Sequence, residues 1–101
     1  MSDETVTLIN VLRAKPGKQD ALIALLKENM DTVVRTLHGW KETRLIAAED
    51  GTGVVICSEW ETPAAVEAMR SDPRMKACFP KIAELASLDS FQGMMAASAA
   101  R

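Results

Sequence analysis

From Thr5 to Ala14 the chain reads TVTLINVLRA, a β-branched run closed by the turn residues Lys15-Pro16-Gly17. The period then changes. Leu22, Leu25, Leu26, Met30, Val33, Val34 and Leu37 recur at helical spacing, with Lys27, Glu28 and Asp31 off the stripe. His38-Gly39 is the expected end of that helix, with Gly39 in the left-handed C′ conformation and the histidine in the last turn. Trp40 to Ala48 and Val54 to Glu61 read as a hairpin around Glu49-Asp50-Gly51-Thr52-Gly53. Thr62-Pro63 is a capped start for a second helix, which should break and restart at Ser71-Asp72-Pro73 and carry on through Met75, Phe79, Ile82 and Leu85. A short last strand is expected at about Ser90 to Ala96. The order strand-helix-strand-strand-helix-strand makes this an α+β chain of ferredoxin-like βαββαβ type, a four-stranded antiparallel sheet with two helices on one face.

The strands are apolar on both sides. Alternation puts Val6, Leu8, Asn10 and Leu12 on one face of the first strand and Thr7, Ile9, Val11 and Arg13 on the other. In the third strand Val54, Ile56, Ser58 and Trp60 oppose Val55, Cys57, Glu59 and Glu61. A sheet with one solvated face would alternate cleanly. Two helices cover one face, so the other needs a partner, and a second copy of the chain is the economical one. A homodimer is therefore expected, with Ile9, Val11, Val55 and Cys57 at its interface.

Composition narrows the function. The 101 residues suit one domain, with its core at about residues 5–96, and 48% are hydrophobic. A formal charge of −2 without a basic cluster argues against a nucleic-acid partner. No apolar run nears the ~18 residues that span a bilayer. The acidic start Met1-Ser2-Asp3-Glu4 lacks a signal peptide's apolar stretch, so a cytoplasmic protein with two reduced cysteines is expected. Cys57 and Cys78 form no metal-ligand spacing with the single histidine, so no metal is expected.

Asn10 stands out as a carboxamide among strand aliphatics. It either bonds backbone at a bulge or lines a ligand pocket between sheet and helices, because an unpaired buried amide costs a few kcal/mol. Trp60, at the end of the third strand, is either core or a flat surface for an aromatic substrate. His38 is a helix cap or a base. Arg44, which strict alternation puts with Trp40 and Ile46, is a surface charge or an anion contact. No nucleophilic triad can be assembled, and Cys57 has no nearby base.

The chain resembles a family. Asn10 with the Pro16-Gly17 turn, the Gly39-Trp40 strand start and SEWETPAAVEAMRSDP from Ser58 to Pro73 are similar to antibiotic biosynthesis monooxygenase domains, over residues 5 to 96. The resemblance implies a dimeric α+β barrel. It implies oxidation of quinol-like or phenolic aromatic compounds by molecular oxygen, with no metal, flavin or other cofactor, and Asn10 and Trp60 as catalytic residues whose amide and indole N–H would hold the developing oxyanion. In the haem-degrading branch a histidine ten residues past the tryptophan completes the site. That position is Arg70 here, so haem is not implied, and Arg70 joins Arg44 and His38 as a possible substrate contact. Ile56, four residues before Trp60, and Phe79-Pro80 depart from the polar residues expected there, and no general base is evident.

Overall fold

The computed structural model describes residues 5–101. Residues 1–4, on which the expectation of a leaderless N-terminus rests, lie outside the described residues. Strand β1 (Val6–Ala14) leads into helix α1 (Gln19–Thr32) and a single 3₁₀ turn (Val34–Thr36). Strands β2 (Trp40–Ala47) and β3 (Gly53–Trp60) form the hairpin. Helices α2 (Pro63–Ser71) and α3 (Pro73–Leu85) precede strand β4 (Ala86–Gly93). The sheet order is β2-β3-β1-β4, with every neighbour antiparallel, which is the ferredoxin-like arrangement.

Local chemistry explains most boundaries. At the hairpin tip Gly51 takes φ +78°, and the Asp50 carboxylate accepts from both the Thr52 amide and hydroxyl, which holds its pKa below the usual carboxylate value. The Thr62 hydroxyl accepts from the Ala65 amide at the start of α2. Asp72 accepts from the Arg74 and Met75 amides and restarts the chain as α3, where the expected break falls.

Two boundaries differ from expectation. Helix α1 stops at Thr32 rather than reaching Leu37. Val33 leaves helical geometry at φ −123°, and three consecutive β-branched residues crowd the preceding turn. Thr32 and Thr36 bond back to the Glu28 and Val33 carbonyls, which favours the tighter 3₁₀ turn over further α-helix. Gly39 does take the left-handed conformation, at φ +84°, but it ends a loop rather than the helix. Strand β4 begins at Ala86, directly after α3, and ends at Gly93. Pairing with β1 from Ala14↔Ala86 to Thr7↔Gly93 sets that register, which starts earlier in the chain than the expected Ser90–Ala96.

A third difference lies within β2. Trp40 pairs with Trp60 and Glu42 with Glu59, so three residues of β2 span two of β3. This bulge resets the alternation. Thr43 and Leu45, rather than Arg44, follow Trp40 onto the helix-covered face.

The core forms two clusters on that face. One gathers Val6, Leu8, Trp60, Val66, Met69 and Met75; the other holds Leu12, Leu22, Leu26, Val54 and Ala86. Among the described residues, no helix covers the opposite sheet face. Ile9, Val11, Val55 and Cys57 are half-buried there, while Ile46 and Phe91 are 56% and 67% exposed. Among the described residues, no helix is long and apolar enough to cross a membrane.

Candidate functional site

Strand register maps the floor beneath the helices. Reading across β2, β3, β1 and β4, one row is Thr43, Ser58, Leu8 and Gln92. The next is Leu45, Ile56, Asn10 and Ser90, and the third is Ala47, Val54, Leu12 and Leu88. The middle row lies between the two core clusters. Over it opens a cavity of about 360 Å³, lined by Leu8, Asn10, Leu12, Thr43, Leu45, Ile56, Ser58 and Trp60 from the sheet and by Leu26, Asn29, Met30, Met69, Arg70, Met75, Phe79 and Ile82 from the helices. Its volume falls in the range of small-molecule sites.

The lining is mostly apolar, and its polar groups are almost all neutral. Asn10 is half-buried, and among the described residues its carboxamide has no hydrogen-bond partner. Asn29, also in the lining, donates from Nδ2 to the Met75 thioether at 3.4 Å, a weak acceptor. The Trp60 ring is 2% exposed, and its indole N–H donates to Ser58 Oγ at 3.1 Å. Ser58 Oγ in turn donates to the Leu8 carbonyl at 3.4 Å. On the neighbouring strand, the Trp40 indole N–H donates to Thr43 Oγ1 at 2.8 Å.

The candidate residues separate into two groups. Asn10, Trp60 and Arg70 meet at the cavity. Arg70 pairs with Glu67 at 3.2 Å, with 40% of its side chain exposed, so it stands at the rim. A guanidinium is always protonated and cannot ligate iron, so a haem with an axial protein ligand does not fit at this position. Arg44 is exposed on the uncovered face and pairs with Glu42, and His38 is exposed in the loop before β2; neither reaches the cavity. Burial pushes the Cys78 thiol pKa up, which keeps it a protonated packing group.

Four polar residues of the cavity, Asn29, Thr43, Ser58 and Ser90, were not among the candidates. Ser58 shares a face with Trp60 two residues away, a signal present in the sequence. Thr43 joins that face only because of the bulge in β2, which strict alternation hides.

A model of the antibiotic biosynthesis monooxygenase family matches residues 5–81. The chain belongs to that family. It is 31% identical over 78 residues to the tetracenomycin-F1 monooxygenase of Streptomyces glaucescens, covering 77% of this chain and 70% of that protein. Solved structures share the fold at lower identity. SnoaB, a cofactor-independent oxygenase from Streptomyces nogalater, superposes with a TM-score of 0.85 at 14% identity, covering 94% of this chain and 96% of that one. Rv0793 from Mycobacterium tuberculosis gives 0.82 at 22% identity, covering 95% and 99%.

Proposed function

We propose that the protein is a monooxygenase that oxidises a quinol-like or phenolic aromatic compound with molecular oxygen, without metal or flavin. The observation that carries this is the unpartnered Asn10 carboxamide in the floor of an apolar cavity of about 360 Å³. Family membership and the tetracenomycin-F1 monooxygenase relative support it. An aromatic ring would lie between the sheet floor and the methionine and phenylalanine side chains of the helices. Its phenolic oxygen would ionise against neutral hydrogen-bond donors, whose stabilisation is strongest where water is excluded. The electron-rich anion then reduces oxygen directly. A C–O bond forms at a ring carbon, the hydrogen on that carbon leaves as a proton and the O–O bond breaks. One oxygen atom remains as the quinone carbonyl and the other departs as water.

The working unit in this proposal is a homodimer formed through the uncovered sheet face, where Ile46 and Phe91 are exposed. The test is oxygen uptake with naphthalene and anthracene quinols. Uptake should exceed autoxidation and fall in Asn10→Ala and Trp60→Phe; uptake equal to buffer across the panel refutes the activity. Among the described residues the cavity lining contains no carboxylate and no histidine to act as a base, which favours a second reading, a non-catalytic domain that holds the same ligands. That reading predicts thermal stabilisation by naphthols with no oxygen uptake, and equal affinity in Arg70 variants.

A further inference from the structure

The two indole N–H groups are already spent within the protein. Trp40 donates to Thr43 at 2.8 Å and Trp60 to Ser58 at 3.1 Å. The two couples stand side by side: Trp40 pairs with Trp60 across β2 and β3, and Thr43 pairs with Ser58 two pairs along the same ladder, on the same face. Facing residues on one side of an antiparallel pair hold their Cβ atoms about 4.5–5.5 Å apart. Both hydroxyls therefore border one spot on the cavity floor, and both line the cavity.

Each hydroxyl has a proton to offer there. Among the described residues, Thr43 Oγ1 accepts from an indole but its own O–H has no acceptor. The Ser58 proton goes to the Leu8 carbonyl at 3.4 Å, near the outer limit of a hydrogen bond and easily surrendered to a charged acceptor. A hydroxyl that accepts a hydrogen bond becomes a better donor, because the chain polarises cooperatively.

Resting on the phenol-oxidising function proposed above, we propose that Thr43 and Ser58 are the substrate-contacting donors for the ionised phenolic oxygen, and that Trp40 and Trp60 act through them rather than touching that oxygen. The tryptophans are thus positioning residues, each loading one hydroxyl.

The test is the ionisation of bound 4-nitrophenol, whose phenol and phenolate forms are distinguished by absorbance. Wild-type protein should lower the ionisation midpoint relative to free 4-nitrophenol. T43V and S58A should each raise the bound midpoint by about one pH unit, the worth of one hydrogen bond to a charged oxygen. W60F should raise it in the wild-type background and add nothing in S58A, and W40F should show the same dependence on Thr43. Should W60F fail to fold, T43V and S58A decide the two donors and W40F with and without T43V decides the relay. If both leave the midpoint unchanged while Asn10→Ala weakens binding, the inference is overturned and the phenol site stands. A W60F shift that persists undiminished in S58A overturns the relay through Ser58. Failure of wild-type protein to bind 4-nitrophenol overturns both the inference and the phenol site.

Discussion

Replacing Asn10 by leucine separates a structural asparagine from one that serves a ligand. In the structure the carboxamide is half-buried among Leu8, Leu12 and Ile56, and no hydrogen-bond partner meets it among the described residues. Burying an amide without a partner costs about 1–3 kcal/mol by protein mutational measures. Its polar atoms still reach the open cavity, since none of the described buried side-chain polar atoms lacks a partner, so the cost sits at the low end, about 1 kcal/mol, and the leucine methyl groups add favourable contact with the same neighbours. Asn10→Leu should therefore stabilise the unliganded protein by about 1 kcal/mol, a rise in Tm of about 4–8 °C for a domain of this size. Urea unfolding at fixed protein concentration measures it, and an unchanged m-value shows that the unfolded state is the same. The same variant should lose binding of naphthols. A loss of about 1 kcal/mol or more instead would mean that the carboxamide bonds the fold together, and would remove the observation on which the proposed function rests.

Three further outcomes follow from particular contacts. Gly39→Ala should destabilise by about 2–4 kcal/mol in the same assay, since φ is +84° and an added Cβ would meet Ala65 Cβ at 2.5 Å. Asp72 is held below the usual carboxylate pKa first by the Arg74 side chain and then by the amides it caps, so its contribution is present above the ordinary aspartate value and lost as pH falls through the lowered one; the gap in urea midpoint between wild type and Asp72→Ala should be constant at neutral pH and close in acid. Ile46→Glu, on the uncovered face, should turn a dimer into a monomer by sedimentation velocity, and a monomeric wild type would refute that interface.

Much of the fold was legible because periodicity and turn chemistry agree locally. The hairpin, the Thr62 cap and the Asp72 restart are each written in a few adjacent residues. The end of α1 was not, because Val33, Val34 and Leu37 continue the apolar stripe through a 3₁₀ turn. The start of β4 depends on pairing with β1, a long-range contact that the polar stretch Ser87–Gln92 does not announce. At the site, Asn10 and Trp60 stood out as unusual residues in strands. Thr43 did not, since its face depends on the bulge at Lys41.

That extra residue in β2 also bears on how such a chain can change over time. Most single-residue insertions or deletions in a strand expose what was buried along its whole length. Here the irregularity lies between Trp40 and Glu42, at the start of β2 and after the Gly39 turn. Losing Lys41 at that point would leave the Thr43-onward pairing with β3 intact and keep Trp40 opposite Trp60, on the helix-covered face. One codon can thus be lost or regained at the start of β2 while both indoles and both hydroxyls keep their side of the sheet, so the site tolerates a change of chain length that would invert most strands.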